Sequence, residues 1–157
     1  MWFFRVKEIV NFAVQIERNG RAFYRTLLDC IADEPTKEVI AYLADEEARH
    51  EAAFSGMLAG LEDYSPAESF PGEYEQYLRW LVDNHVFVRE ADACALARKV
   101  TSPREALDLA LGFEKDSLLF FHELRQLVPE GERGVVDGII REEREHVRKL
   151  AARRKEV

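Results

Sequence analysis

Apolar side chains recur every three or four residues along most of this chain. Between residues 4 and 30 they fall at Val6, Ile9, Val10, Ala13, Ile16, Gly20, Tyr24 and Leu27, the one-sided stripe of an amphipathic helix. The stretch ADEPTK interrupts the stripe. Asp33 is a suitable N-cap and Pro35 is tolerated in a first turn, so a second helix is expected to reach about Leu61. Ser102, Pro103 and Glu105 form a capping-box pattern with proline at the first helical position, which predicts a third helix running to about Val128. The stretch PEGERG ends it, and a fourth helix fills the remainder from about Glu132. No run alternates as a strand does.

The segment between the two helix pairs is long. DYSPAESFPG, residues 63–72, carries two prolines and a glycine among polar residues and reads as a loop. A shorter amphipathic segment follows, with Tyr74, Tyr77, Leu78 and Leu81 on one face, and EADACALARKV adds another turn or two. About forty residues therefore separate two tight hairpins, enough to cross the length of a bundle. The pattern predicts an all-α fold: a four-helix bundle of two helical hairpins joined by a long crossover containing a short helix, in one domain over residues 1–157.

Composition agrees and narrows the partners. With 157 residues, 47% of them hydrophobic, the chain can build a single core. A formal net charge of -8 repels a phosphate backbone, so nucleic acid is not expected. The basic run RKLAARRKEV reads as a solvated helix end whose cations suit the negative pole of the dipole. Cys30 and Cys94 form no C-x-x-C pair, which fits neither a disulfide framework nor a zinc or rubredoxin-type knuckle and points to a reducing, cytoplasmic setting. MWFF at the start is too short for a signal sequence, and no window approaches the ~18 apolar residues of a membrane span.

The chemistry lies in a repeat. DEEARH and REEREH each place a glutamate three residues before a histidine, Glu47 with His50 and Glu143 with His146. Aligned on these pairs, the second and fourth helices match Ile40 with Val136, Leu43 with Ile139 and Phe54 with Leu150. The other two helices match Ala13 with Ala110, Tyr24 with Phe121 and Leu27 with Leu124, which sets Glu17 opposite Glu114. Each hairpin thus repeats one plan, a lone glutamate and then Glu-x-x-His, as an internal duplication would. Residues at i and i+3 share a helix face, so all six groups converge inside the bundle.

Four carboxylates there repel one another, and an unpaired buried charge costs several kcal/mol. Two divalent ions balance four carboxylates, and two neutral imidazoles complete the coordination. Oxygen and imidazole donors without thiolate suit iron or manganese, and zinc also; iron is preferred because carboxylates that can shift suit a metal changing oxidation state. A single Glu-x-x-His is ordinarily a surface ion pair, whereas two copies in apolar register with two further glutamates are not. Glu46, Glu51, Glu142 and Glu145 fall off the stripe and are expected on solvated faces, and His85 and His122 are expected to be non-ligands. Gly20 and Ser117, one turn after the lone glutamates, either leave room at the site or allow close packing. Tyr24 is either a hydrogen-bonding partner of a ligand or core aromatic surface.

On Glu17, Glu47-x-x-His50, Glu114 and Glu143-x-x-His146 the chain resembles the ferritin-like superfamily of di-iron carboxylate proteins, and most of all its rubrerythrin branch. The resemblance implies that Glu47 and Glu143 bridge two irons, that Glu17 and Glu114 are terminal ligands, and that His50 and His146 bind one metal each. It also implies reaction of a diferrous site with hydrogen peroxide or dioxygen, with electrons from an outside donor. Rubrerythrins usually carry another ligand glutamate where this chain has Ser117, and often a rubredoxin domain that is absent here. The remaining six-ligand set resembles the ferroxidase centre of bacterioferritin equally well, but that family's haem methionine would fall at Ala48, so no haem is expected. An iron-storage subunit and a metal-free helical interaction module are the rival readings. A homodimer is expected through Tyr74, Tyr77 and Trp80 on the crossover.

Overall fold

The computed structural model describes residues 5–61, 72–85 and 89–157, apart from the side chains of residues 73 and 74. Four long helices dominate it: α1 (Val6–Cys30), α2 (Glu34–Met57, extended by a 3-10 turn at Leu58–Gly60), α5 (Pro103–Leu127) and α6 (Glu130–Arg154). Between α2 and α5 lie two short helices, α3 (Glu73–Asp83) and α4 (Glu90–Arg98). The described residues contain no strand. The crossover thus holds two short helices where the sequence suggested one and a further turn. The predicted loop at 63–72 lies outside the described residues except for Gly72, which opens α3 at φ 87°, a conformation that favours glycine.

The helix starts follow local chemistry. Asp33 caps α2 by accepting the Thr36 backbone N–H at 3.0 Å, and Pro35 sits in the first turn. Ser102 Oγ accepts the Glu105 N–H at 3.2 Å, but Glu105 Oε2 returns to the N–H of Thr101 at 2.8 Å, so the box closes one residue early. α6 begins at Glu130, two residues before the expected Glu132. Pro129 occupies its N-cap, and Glu130 and Glu132 put negative charge on the positive helix end.

Packing is most extensive within the hairpins, α1 on α2 and α5 on α6. The hairpins meet through α2 against α6 and α1 against α5, while α4 docks on α1 and α3 rests on α5. Every residue of the six apolar pairs aligned above is buried, which confirms the register of the repeat. On α3, Leu78 and Leu81 turn inward; Tyr77, expected on the same face, is 38% exposed, and Trp80 is 60% exposed. The side chain of Tyr74 lies outside the described residues.

The basic C-terminal run is less solvated than expected. Arg153 donates to Asp33 Oδ2 at 2.8 Å and to Thr36 Oγ1 at 3.1 Å, and Arg154 pairs with Asp108, so the end of α6 is tied to the starts of α2 and α5. No described helix is long and apolar enough to cross a membrane.

Candidate metal centre

The heptad register of the four long helices fixes where the six predicted groups point. Glu17 comes from α1, Glu47 and His50 from α2, Glu114 from α5, and Glu143 and His146 from α6. All six are buried, with His50 the most exposed at 2%. They form two overlapping sets: one donor atom each from Glu17, Glu47, His50 and Glu143 lies within 4.8 Å of the others, and the same holds for Glu47, Glu114, Glu143 and His146. Glu47 and Glu143 belong to both sets. Each set also holds one lone glutamate and one histidine, so the duplication read in the sequence becomes a duplicated cage.

Both imidazoles turn Nδ1 toward the carboxylates. His50 Nδ1 lies 2.8 Å from Glu143 Oε1 and 3.7 Å from Glu17 Oε2. His146 Nδ1 lies 3.1 Å from Glu143 Oε2 and 3.6 Å from Glu114 Oε2. The two rings stack, with centroids 5.5 Å apart and planes 19° from parallel. Yet both oxygens of Glu17 and of Glu47, one each of Glu114 and Glu143, and His50 Nδ1 make no hydrogen bond; the close approach of His50 Nδ1 to Glu143 lacks the required alignment. Buried polar atoms are normally paired. Unpaired oxygen and imidazole donors aimed into one space fit divalent cations of the iron, manganese or zinc type, and these buried Glu/His sets fit a di-iron site.

Without metal, protons manage the charge. Burial drives the carboxyls of Glu17 and Glu47 well above their ordinary range, and it raises Glu114 to about 8 with Glu143 adding to the shift. Burial opposes ionisation of Glu143 too, but its close polar contacts with Glu114, His146 and His50 outweigh it and hold that carboxyl below its usual range. Burial would lower the two histidines; their carboxylate partners instead raise His50 to about 9 and His146 to about 10. In the metal-free cluster, burial thus favours the protonated carboxyls of Glu17, Glu47 and Glu114, while the contacts around Glu143 and the two imidazoles favour their charged forms.

The flanking residues resolve several alternatives. Tyr24 donates a short hydrogen bond from its hydroxyl to Glu114 Oε1 and is fully buried, so it both fills the core and orients a carboxylate. A Cβ at Gly20 would stand 2.4 Å from Phe113 Cζ and 2.8 Å from Glu47 Oε2, so glycine there admits a ring and a cluster carboxylate together. Ser117 is buried, but its hydroxyl faces His85 Nε2 at 3.5 Å. His85 is outside both donor sets, as expected, yet it is 5% exposed and packs edge-on against Phe12 and Phe113. Burial pushes its imidazole down to about 4, so it stays neutral.

Two of the four glutamates expected on solvated faces are part of the site. Glu142 Oε2 lies 2.7 Å from His50 Nε2, and Glu46, 8% exposed, places Oε2 3.7 Å from His146 Nε2. Glu46 also joins His50 and His146 in a third donor set, which draws on the same imidazoles and so belongs to this centre. Spacing along one helix does not reveal this, because Glu142 of α6 reaches the histidine of α2 and Glu46 of α2 faces that of α6, so each contact crosses the α2–α6 seam. Glu51 instead pairs with Arg18 at 2.9 Å and Arg21 at 3.2 Å, and Glu145 pairs with Arg148, so neither enters the centre.

A family model described as Rubrerythrin matches residues 8–154. Among solved structures, a ferritin-like diiron-carboxylate protein from Thermotoga maritima superposes with a TM-score of 0.67 at 29% sequence identity, covering 98% of this chain and 96% of that one. No curated protein matches the chain. A duplicated Glu and Glu-x-x-His cage inside an all-α bundle, together with a family match spanning nearly the whole sequence, leads to one conclusion: this chain belongs to the rubrerythrin family, within the ferritin-like di-iron proteins.

Proposed function

We propose that this protein is a non-haem di-iron oxidoreductase that reduces hydrogen peroxide or dioxygen with electrons from an outside donor. The observation that carries the reading is the sharing of Glu47 and Glu143 between two buried four-donor sets. On this reading Glu47 and Glu143 would be shared by two metals, Glu17 and His50 would help hold one of them, and Glu114 and His146 the other. Bound as a pair, ferrous ions would supply the electrons and the Lewis acidity needed to break an O–O bond. The chain's own contribution is placement. α1, α2, α5 and α6 hold the six donors in a water-poor core, Tyr24 fixes Glu114, and Gly20 keeps the space beside Glu47 open. Iron is favoured over manganese or zinc because unpaired carboxylate oxygens on Glu17 and Glu47 leave those groups free to shift as a metal changes charge.

Haem plays no part in this reading, since Ala48 stands where a haem-binding methionine would be needed. Two free cysteines, Cys30 and Cys94, support a reducing cytoplasmic setting, and the net charge of -8 argues against nucleic acid as a partner. Ser117 favours a second reading: with no carboxylate there, the six-ligand set resembles a ferroxidase centre, and the chain would be an iron-storage subunit.

Anaerobic loading followed by stopped-flow mixing with equimolar peroxide or dioxygen tests the proposal. The expected result is two irons bound per chain, oxidised by peroxide, and re-reduced by a donor through repeated turnovers. One or no iron per chain would overturn the di-iron assignment. Two irons that accumulate as mineral inside a large assembly would establish the storage reading instead.

A further inference from the structure

The two halves of the centre mirror each other in their donors but not in what supports those donors. His50 Nε2 is engaged by Glu142 Oε2 at 2.7 Å, on the side of the ring opposite the carboxylate cluster. The symmetry-equivalent contact for His146 is with Glu46, but there the separation is 3.7 Å and His146 Nε2 makes no hydrogen bond. The difference has a visible cause. Arg49 grips both oxygens of Glu46, through Nε at 3.0 Å and through Nη2 in a shorter contact. The same Nη2 lies 3.7 Å from Glu142 Oε1, too far to draw that carboxylate from its histidine. The repeat places Arg144 at the position of Ala48 and Glu145 at that of Arg49; where α2 has the guanidinium that claims Glu46, α6 has a carboxylate, which cannot claim Glu142.

From this asymmetry we infer that Glu142 is a positioning residue that locks the ring of His50, while Arg49 withholds Glu46 from His146 and leaves that ring unlocked. A carboxylate on Nε2 fixes the proton there, turns the Nδ1 lone pair toward the cluster and raises its basicity. His50 receives that support and His146 does not. The two metal positions are then unequal although their donor sets are alike, and the position that includes His146 holds its metal more loosely. The inference rests on the di-metal reading above and deepens it.

Zinc is the probe, because it is redox-silent and takes the same nitrogen and oxygen donors. Titration of the full chain with zinc against a competing chelator is expected to resolve two ions per chain with different affinities. In the zinc-loaded protein, proton–nitrogen NMR should find the Nε2 proton of His50 shifted downfield by its carboxylate partner, and that of His146 unshifted. Glu142→Ala should abolish the downfield signal and weaken the tighter step by about 10–100-fold, the usual effect of removing such a partner. Arg49→Ala should release Glu46, bring the His146 proton downfield and tighten the weaker step. Arg49 is exposed, and a merely structural role would change the melting temperature without moving an imidazole proton. If two zinc ions bind with both Nε2 protons alike, or if Arg49→Ala leaves His146 unmoved, the inference fails alone. If fewer than two ions bind, the di-metal reading fails with it.

Discussion

At Gly20 a single missing Cβ decides whether two functional parts fit. The position lies mid-way along α1, where glycine is ordinarily unfavourable by roughly 0.5–1 kcal/mol relative to alanine. Gly112 on α5 is also helical, with nothing within 4 Å of a Cβ built there. The two substitutions should therefore have opposite signs. Gly112→Ala is expected to stabilise by about 0.5–1 kcal/mol, whereas Gly20→Ala should cost about 1–3 kcal/mol through overpacking against Phe113 and displace Glu47, weakening metal binding. Thermal melts and zinc titrations of both variants check this pair. Glu114→Ala makes a different point. Removing a carboxyl whose burial is unfavourable favours the metal-free variant, while the buried Tyr24 hydroxyl loses its acceptor. The opposing effects should leave its metal-free stability cost below the ~2–5 kcal/mol of a large core truncation, with metal binding strongly weakened. A larger loss in the melt would mean that Glu114 is chiefly structural. The convergence of the six central groups was legible because they sit in apolar register. Glu46 and Glu142 were not, because their role depends on which ring faces them across the α2–α6 seam, a fact of packing rather than of spacing.

At the scale of elements, the end of one helix supports the start of another. Asp33 caps α2 and also accepts from Arg153 at 2.8 Å, so one carboxylate joins the N-terminal turn of α2 to the C-terminal turn of α6. The Thr36 hydroxyl, with Arg153 and the Thr36 N–H assisting, holds the Asp33 carboxyl below its ordinary range. A group whose folded pKa is depressed contributes stability above its unfolded pKa and loses it as pH falls through the folded one. Asp33→Ala should accordingly lower the melting temperature at neutral pH, and the gap from the native chain should close as the pH drops below the ordinary carboxylate range. A gap that persists in acid would show that the cap acts without its charge. The long helices and these caps could be read from the chain because proline, serine and aspartate act locally. The early start of α6 and the second crossover helix could not, since short helices draw most of their stability from docking, as α4 does on α1.

For the whole molecule, the crossover leaves an apolar face that the bundle does not cover. Leu78 and Leu81 anchor α3 on α5, while Trp80 stands 60% exposed and Tyr77 38% exposed. Leu119 on α5 is 46% exposed, one helical turn before Glu123, whose charge acts on the Tyr77 hydroxyl. An exposed tryptophan one helical turn from an exposed tyrosine is the composition of an interface core rather than of ordinary surface. A second copy of this chain is the proposed occupant, since a two-fold axis pairs such a face with itself. Sedimentation at micromolar concentration should then give a homodimer, and Trp80→Glu should shift it to monomer by placing like charges at the centre of the contact. The variant should still bind two zinc ions per chain, because all six donors come from α1, α2, α5 and α6 and none from α3. A native chain that sediments as a monomer would refute the dimer. A Trp80→Glu protein that stays dimeric would move the interface to another face, and one that loses its zinc would show that α3 helps hold α5, and with it Glu114, in place.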